Sequence, residues 1–372
     1  MRRQDVLVLV GTKAQFIKTA PVLIAMDKVG VKYRLVYTGQ HSETFGELER
    51  AFGVAPAVDI LVPGVEADTA PGLVGWACRF LVAAYSRIRK GEWRGFTAGV
   101  VHGDTASTLL SAIMLRLAGI PVAHVEAGLR SPRLWSPFPE ELIRRLVSRA
   151  TSVHFAPDQT AVNNLIGSSG EVIDTGGNTL ADSLKLALDK CAASRSPPRG
   201  RERPYAIVSL HRSENLGSRA RLNVLMEEVA LASRTVRLKF VLHPVTRVKL
   251  ARVGWLAKLE SEPGMELVER TDYVTFIDWL GGARFLLTDG GSNQEEAAML
   301  GIPTLLLRTE TERQDGIDTG VVQVSGLDRQ RIRDFVGSHA SFAWEPALRL
   351  PVDSPSMAIA ERLAKPIGKL VE

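Results

Sequence analysis

Three carboxylates in the first half of the sequence stand where acid–base chemistry could be carried out. Asp104 and Glu126 each follow the end of a predicted strand, and Glu140 stands at a predicted helix start. Carboxylates that converge raise one another's pKa, so one can stay protonated and donate while another accepts. Any one of them alone is more often a cap or a surface partner, and Glu141 could be only a first-turn charge. The three together favour a catalytic set.

A second group lies in Thr288–Glu296 (TDGGSNQEE). Gly290, Gly291 and Ser292 are expected at a strand-to-helix junction, where exposed backbone N–H groups can bind an oxyanion. Glu296 would then lie within about the first turn of the helix, where its carboxylate could accept both hydroxyls of a ribose. A structural glycine turn followed by a Glu that suits the helix dipole is the alternative. The pattern favours nucleotide binding.

Gly11–Lys18 (GTKAQFIK) joins the first predicted strand to the first predicted helix. The segment is neither a G-x-G-x-x-G fingerprint nor a G-x-x-x-x-G-K-[ST] loop, so NAD and ATP binding lose their usual support. Lys13 and Lys18 near a helix N-terminus suit an anionic diphosphate, and solvated surface lysines are the alternative. Farther along, His211 beside Arg212 suggests a phosphate or transition-state contact.

The histidines do not follow a metal-binding pattern. Those at or near predicted strand ends are His102, His124, His211 and His243. They form no H-E-x-x-H motif and no closely spaced pair. The G-x-S-x-G elbow of a serine nucleophile is also missing from the sequence. We therefore expect neither a metal nor a cofactor.

Composition limits the class of protein. The 372 residues are 45% hydrophobic and 23% charged, typical of a globular chain. No apolar run approaches the roughly 20 residues of a spanning helix, and the two cysteines, with no paired spacing, fit a reducing cytoplasm. The net charge of +5 comes without a nucleic-acid-binding motif. We expect a cytoplasmic protein with no nucleic-acid partner and no stable membrane insertion.

Short β-branched runs alternate with helical patterns along the chain, which predicts parallel α/β architecture. The predicted strands are Val6–Val10, Tyr33–Tyr37, Val100–Val101, Pro121–Val125, Val153–Ala156, Tyr205–Leu210, Lys239–Leu242, Phe285–Leu287 and Thr304–Leu307. The main predicted helices are Ala14–Val29, Pro139–Ala150 and Asn293–Leu300. Nearly every polar cluster follows the carboxyl end of a strand, where ligands bind in open parallel sheets.

The alternation of predicted strands and helices begins again after a basic segment that is rich in Pro and Arg. This segment has the composition of a linker between two domains. We predict a Rossmann-like domain over 1–190, a linker over 191–204, a second Rossmann-like domain over 205–353 and a C-terminal helical segment over 354–372. Two sheets that face each other would form one cleft between the domains.

The ordered motifs resemble those of the bacterial UDP-N-acetylglucosamine 2-epimerases along most of the chain. The matching segments are Gly11–Lys18, Thr38–His41, His102–Thr105, His124–Arg130, Ser136–Glu141, Gly177–Thr179, His211–Glu214, Gly290–Glu296 and Thr311–Arg313. The resemblance implies a GT-B-like pair of Rossmann domains, with the C-terminal helix crossing back to the first. It also implies inversion at C2 by anti elimination of UDP to a glycal and re-addition, without metal or nicotinamide.

The resemblance also implies roles for individual residues. By position, the catalytic set is Asp104, Glu126, Glu140 and His211. The substrate-binding set is Lys13, Lys18, Arg130, Gly290, Gly291, Ser292, Glu296 and Arg313. Glu43 stands where the allosterically regulated members tend to carry Gln, and no arginine can be placed around Ala67–Gly72 for a second UDP-sugar. The sequence therefore gives no support to activation by bound substrate.

The expected activity interconverts UDP-GlcNAc and UDP-ManNAc, or a close UDP-2-acetamido sugar, for cell-surface polysaccharide biosynthesis, in a homodimer. A hydrolysing epimerase would release UDP and free N-acetylmannosamine from the same elimination. A GT-B glycosyltransferase would pass the sugar to an acceptor. A non-enzymatic UDP-sugar sensor would need no catalytic carboxylates, and the presence of all three argues against it.

Overall fold

The computed structural model describes residues 5–40, 45–54, 59–64, 70–131, 139–194, 204–311, 313–341 and 347–368. The chain divides into two compact units. One comprises Met1–Leu186 with Pro351–Glu372, and the other comprises Ala187–Leu350. Several motif positions from the sequence analysis, namely His41, Glu43, Ala67, Ser136–Phe138, the linker positions 195–203 and Glu312, lie outside the described residues.

The first unit is built around a parallel sheet whose described strands run in the order β3-β2-β1-β4-β5-β6-β7. Its elements in chain order are β1 (Asp5–Val10), α1 (Lys13–Lys28), β2 (Lys32–Tyr37), α2 (Phe45–Phe52), β3 (Asp59–Ile60), α3 (Ala70–Arg89), β4 (Ala98–His102), α4 (Ala106–Leu117), β5 (Val122–Val125), α5 (Glu140–Ala150), β6 (Val153–Ala156), α6 (Gln159–Asn163), β7 (Glu171–Asp174) and α7 (Leu180–Ser194). The change to the second unit occurs within α7.

The second unit repeats this plan, with strands in the order β10-β9-β8-β11-β12-β13. Its elements are β8 (Tyr205–Leu210), α8 (Ser213–Gly217), α9 (Arg219–Ala232), β9 (Arg237–Leu242), α10 (Pro244–Arg252), α11 (Trp255–Glu260), β10 (Met265–Glu269), α12 (Tyr273–Gly282), β11 (Leu286–Thr288), α13 (Gly291–Leu300), β12 (Thr304–Leu306), β13 (Val322–Val324) and α14 (Arg329–Ala340). The last helix of the chain, α15 (Pro355–Leu363), belongs to the first unit.

The central strands are buried along almost their whole length. All six residues of β8 are buried, and so are the five residues Val6–Val10 of β1. Helices cover both faces of an open parallel sheet, which is why such strands are continuous apolar runs rather than alternating patterns. The apolar runs recognised in the sequence are therefore the sheet cores of the two units.

Helix α15 packs against α1 in the first unit. Two polar contacts hold it there: the Ser356 amide donates to Asp182 Oδ2 at 2.8 Å, and Arg362 pairs with Glu171 on β7. The hydrogen bonds from Arg362 hold the pKa of the Glu171 carboxyl below its usual range. The predicted fold class, two parallel-sheet α/β units with a C-terminal helix returning to the first, is confirmed.

Each sheet reverses its strand order at one point, between β1 and β4 in the first unit and between β8 and β11 in the second. Ligands of doubly wound sheets bind outside the carboxyl ends of the strands at such a switch point. Gly11 and Asp104 follow β1 and β4, while His211 and Gly290 follow β8 and β11. Gly11, Asp104, His211 and Gly290 thus lie at the two switch points.

Among the helices that the structure describes, none combines the length and the apolar composition that crossing a membrane requires. The described residues also contain no cluster of three or more His, Cys, Asp or Glu side chains arranged to hold a metal ion.

Candidate active site

Glu126 occupies a strained backbone conformation directly after β5. Its φ is +63°, in the left-handed region, and Leu327 is the only other non-glycine residue with a positive φ in the described part of the chain. A non-glycine residue in this region costs of order 1–3 kcal/mol and persists only where its surroundings over-determine it. Such strain clusters at functional sites, so it marks Glu126 as a candidate.

The Glu126 carboxylate is held by side chains from two other elements. Its Oε1 accepts a hydrogen bond from Lys18 Nζ at 2.8 Å and another from Asn178 Nδ2 at 2.8 Å. The Lys18 and Glu126 side chains are 8% and 9% exposed. The surface-lysine interpretation is therefore wrong for Lys18. The proposed UDP contact of Lys18 stays a prediction, and the structure adds its ion pair with Glu126.

Two buried histidines lie beside this carboxylate. His102 Nε2 is 3.6 Å from Glu126 Oε2, and His102 Nδ1 is 3.0 Å from Thr19 Oγ1. Burial lowers the pKa of His102, while the hydrogen-bonding and charge of Glu126 oppose that shift. His124 on β5 lies 2.8 Å from the Gly103 carbonyl through Nε2, and burial lowers its pKa to about 3.

Asp104 is anchored by an arginine that the sequence analysis did not select. Arg144, on the second turn of α5, places Nη2 at 2.6 Å and Nε at 2.8 Å from Asp104 Oδ2. The same guanidinium reaches Ser131 Oγ at 3.2 Å and lies 3.6 Å from Glu141. Arg144 therefore joins the loop after β4 to helix α5.

Glu141 is more than a charge in the first turn of helix α5, which was the alternative interpretation from the sequence. Its side chain is fully buried, accepts the Ser131 amide at 2.9 Å and pairs with Arg145 at 2.9 Å. A buried carboxylate needs such partners because desolvation penalises its charge. Glu141 therefore fastens the chain at Ser131 to α5.

Glu140 is the first residue of α5, and its buried Oε2 has no hydrogen-bond partner among the described residues. A buried carboxyl oxygen without a partner is costly, so its position suggests a role with a ligand.

Arg130 donates hydrogen bonds from its guanidinium to the Leu129 carbonyl at 2.9 Å and to Ser148 Oγ at 3.0 Å. Its substrate contact stays a prediction.

Gln15 connects the loops at the first switch point. Its Oε1 accepts the amides of Gly11 at 2.8 Å and Thr12 at 3.1 Å, and its Nε2 donates to the His102 carbonyl at 2.6 Å. Gln15 lies within the segment Gly11–Lys18, whose sequence pattern draws attention to Lys13, the first residue of α1, and to Lys18, but not to Gln15. Its amide fixes the loop after β1 to the end of β4.

Gly290 and Gly291 lie in close contact with two other residues of the predicted site in the second unit. A Cβ at Gly290 would lie 2.8 Å from His211 Cε1, and one at Gly291 would lie 2.8 Å from Arg313 Nε. Neither glycine has a positive φ, so space rather than backbone freedom selects them. The structure thus brings together four residues of the predicted site.

Helix α13 begins at Gly291, two residues earlier than the sequence predicts. Glu296 therefore lies in the second turn rather than the first, and it is 4% exposed. Burial and then the neighbouring Glu296 raise the pKa of Tyr273. Ser292 is the second residue of the same helix and is partly exposed.

The loop that carries Arg313 is fixed by Gln294. Its Nε2 donates to the carbonyls of Arg313 at 3.2 Å and Asp315 at 3.0 Å, and its Oε1 accepts from Thr311 at 3.2 Å. The Arg313 guanidinium pairs with the buried Glu295 carboxylate. Arg313 is therefore held over Gly291 by the side chains of α13.

Asp289 is a further residue that the sequence analysis did not select. It is fully buried, and its carboxylate accepts the amides of His211 at 2.9 Å and Arg212 at 3.1 Å. His243 stacks on the His211 ring with centroids 4.5 Å apart. Burial lowers the pKa of His211, and the Asp289 charge opposes that shift. Asp289 thereby sets the position of His211.

The chain is similar to known proteins along nearly all its length. A family model described as UDP-N-acetylglucosamine 2-epimerase matches residues 25–344. The UDP-N-acetylglucosamine 2-epimerase of Salmonella typhimurium strain LT2 is 32% identical over 351 residues, which cover 88% of each chain. The family model spans Asp104, Glu126 and Glu140 together with the segment from His211 to Arg313, and it begins after the segment Gly11–Lys18.

Solved structures agree with the sequence comparisons. The UDP-GlcNAc 2-epimerase of Methanocaldococcus jannaschii, in complex with UDP-GlcNAc and UDP, has a TM-score of 0.81 at 26% identity. The enzyme of Neisseria meningitidis bound to UDP-GlcNAc has a TM-score of 0.79 at 27% identity. Each match covers 97% of this chain and 99% of the other. The chain therefore belongs to the UDP-N-acetylglucosamine 2-epimerase family.

Proposed function

We propose that this chain interconverts UDP-N-acetylglucosamine and UDP-N-acetylmannosamine, or a close UDP-2-acetamido sugar, by elimination and re-addition of UDP. The observation that carries the proposal is the strained Glu126, whose side chain is only 9% exposed and is bonded to Lys18 and Asn178, in a chain of this family. The structures of the related enzymes from M. jannaschii and N. meningitidis contain bound UDP-GlcNAc. A cytoplasmic location and a role in polysaccharide biosynthesis belong to the same proposal.

Inversion at C2 requires a base that removes the C2 proton, an acid that returns it on the other face, and groups that stabilise the departing diphosphate. We assign the proton transfers to Asp104, Glu126 and Glu140. The diphosphate and ribose are assigned to the second group, which comprises His211, Gly290, Gly291, Ser292, Glu296 and Arg313, with Lys13, Lys18 and Arg130 as further substrate contacts. No metal or redox cofactor takes part in this scheme.

Incubation with UDP-N-acetylglucosamine in deuterated water, followed by NMR, tests the proposal. Deuterium at C2 of the UDP-sugar identifies an epimerase. Free UDP together with free N-acetylmannosamine identifies the hydrolysing alternative. Absence of both products contradicts the proposal and leaves a transferase or a UDP-sugar sensor, which an acceptor screen separates.

Replacing Glu296 with Ala is expected to weaken UDP binding by tenfold or more. Hydrogen bonds to a charged group contribute about 1.5–3 kcal/mol each, and the carboxylate is assigned to the ribose hydroxyls. Titration calorimetry with UDP measures the change. Glu310→Ala, at an exposed position nearby in the sequence, is the control and should bind normally. Unchanged UDP affinity in a folded Glu296→Ala protein would contradict the proposal that Glu296 binds the ribose hydroxyls.

We also propose that the chain forms a homodimer through the outer face of α3. Val74, Cys78, Leu81, Val82 and Tyr85 recur at helical spacing on that face, and Val82 is 71% exposed. A contiguous exposed apolar stripe of this kind usually marks a protein contact.

Replacing Val82 with Asp should therefore convert the dimer to a monomer, because a carboxylate would be buried against an apolar partner surface. Light scattering after size exclusion measures the mass. Val352→Asp is the matched control, since Val352 is fully exposed outside this helix. A wild-type monomer, or a Val82→Asp dimer of undiminished affinity, contradicts the assignment.

A further inference from the structure

Both contacts between Arg144 and Asp104 fall on a single oxygen of the carboxylate. Arg144 Nε donates a hydrogen bond to Asp104 Oδ2 at 2.8 Å, and Arg144 Nη2 lies 2.6 Å from the same oxygen. An arginine that binds a carboxylate as a fork contacts both of its oxygens instead. The guanidinium therefore fixes the rotation of the Asp104 carboxylate and leaves Oδ1 outside the contact.

The Arg144 guanidinium is itself held in place. Its Nη1 donates to Ser131 Oγ at 3.2 Å and lies 3.6 Å from Glu141 Oε2. Glu141 is fully buried and also accepts the Ser131 amide. The Arg144 side chain is 12% exposed, whereas that of Asp104 is 29% exposed. Arg144 is thus a covered support, and the carboxylate that it holds remains open to a ligand.

The backbone at Asp104 is held by a separate set of contacts. Gln15 Nε2 donates to the His102 carbonyl at 2.6 Å and to Thr105 Oγ1 at 2.9 Å. These two partners flank the dipeptide 103–104 in the sequence. Because Arg144 takes no part in these bonds, we expect its loss to release the side chain of Asp104 and to leave the course of the loop unchanged.

Arg144 also relates Asp104 to Glu140. Glu140 is the first residue of α5 and Arg144 is the fifth, so they lie one turn apart on the same face of the helix. Residues at this spacing have Cβ atoms about 5–6 Å apart. One helix therefore carries Glu140 directly and holds Asp104 through Arg144. The separation of these two carboxylates, both assigned to proton transfer, depends on α5.

We propose that Arg144 is a positioning residue, which turns Asp104 so that Oδ1, and not Oδ2, exchanges the C2 proton with the substrate. When Asp104 acts as the base, an O–H bond forms at Oδ1 and the C2–H electron pair becomes the C1–C2 double bond. UDP leaves with the electron pair of the C1–O bond, and re-addition reverses these steps. Arg144 touches none of the reacting atoms. This role rests on the proposed function.

Arg144→Met removes both contacts with Asp104 and keeps a long unbranched side chain. The kcat of C2 deuterium exchange should fall by about 10²-fold, because displacing a catalytic group by about 1 Å can cost that much. KM for UDP-N-acetylglucosamine should change by no more than a few-fold, since neither residue is among the assigned nucleotide contacts. Arg144→Lys keeps the charge but offers one nitrogen in place of two, so it should recover part of the lost kcat.

Arg145→Met is the matched control. Arg145 contacts the same buried Glu141, at 2.9 Å, from the next position of α5. A merely structural weakening of this anchor would lower kcat in both methionine variants, whereas the proposed role predicts that Arg145→Met keeps kcat within a few-fold. Equal kcat values in Arg144→Met and Arg145→Met, or an effect of Arg144→Met on KM alone, overturn the proposal.

A measurement without substrate tests the contact itself. Nitrogen-15 NMR follows the exchange of arginine Nε–H protons with water, and the Arg144 signal is identified by its loss in Arg144→Lys. We expect this proton to exchange slowly in the parent. In Asp104→Ala it should exchange faster by about tenfold or more, as expected for the loss of a charge-assisted hydrogen bond. The Arg145 Nε–H, which Glu141 Oε1 accepts at 2.9 Å, should be unaffected.

Fast exchange of the Arg144 Nε–H in the parent, or an unchanged rate in Asp104→Ala, contradicts the proposal whether or not the chain catalyses C2 exchange. Slow exchange that depends on Asp104, in a chain without C2 exchange, would contradict the proposed function and keep the contact. Should Arg144→Met not fold, this measurement and the kcat of Arg144→Lys give the decision, and a parental kcat in Arg144→Lys then overturns the proposal.

Discussion

Asp104→Asn is expected to lower the rate of C2 deuterium exchange by about 10²–10⁴-fold, the usual contribution of a general acid–base group. Asparagine keeps the shape of the side chain but cannot take up a proton. It also removes the negative charge of the Asp104 carboxylate, whose Oδ2 is contacted by Arg144. UDP affinity should change by no more than a few-fold, because the diphosphate and ribose are assigned mainly to residues of the second unit and Asp104 is not among their contacts. Exchange into UDP-N-acetylglucosamine and calorimetry with UDP measure the two effects.

Glu140→Gln should have a similar effect, and the double variant should be little worse than the poorer single one. Elimination and re-addition pass through one intermediate, and groups that act as a unit contribute non-additively. Asp318→Asn, on an exposed turn, is the matched control and should exchange normally. If the Asp104 and Glu140 variants exchange the C2 proton at nearly the parental rate, these carboxylates have a structural role. That result would contradict the epimerase mechanism proposed for this chain.

The strands that sequence patterns did not reveal are the four at the sheet edges. β3, β7, β10 and β13 each end a sheet, and their residues are mostly partly exposed. An edge strand is covered less completely, so it does not need the continuous apolar run that identifies a central strand. The central strands were predicted to within a few residues because burial on both faces dictates their composition.

The candidate site shows a related limit. Its loops could be located, because they follow apolar runs, but their anchors could not. Gln15 bonds His102 across 87 positions of sequence, Arg144 bonds Asp104 across 40, and Asp289 bonds the His211 amide across 78. Local spacing carries no signal for such pairs. Lys18 illustrates the same point, since a lysine in the second turn of a helix gives no sign in the sequence of being buried against Glu126.

Stability of the first unit is expected to fall steeply below about pH 6.5, because His124 and His154 are buried and neutral. Burial lowers the pKa of both, that of His124 to about 3. The unfolded chain binds a proton at each histidine below about pH 6.5, whereas the folded chain does not. Stability is therefore fully present above that pH and decreases as the pH falls. His124 contributes about 1.4 kcal/mol per pH unit until its own lowered pKa is reached, and His154 acts in the same direction.

His124→Gln isolates one of these contributions. The amide nitrogen can still donate to the Gly103 carbonyl that His124 contacts, yet the side chain no longer titrates. Urea unfolding between about pH 4 and 6 should then show a slope of stability against pH that is shallower by about 1.4 kcal/mol per unit. Above about pH 7 the slopes should coincide, since histidine is neutral in both states there. Equal slopes throughout the acidic range would mean that His124 is protonated in the folded protein, against its burial and its contact with a backbone carbonyl.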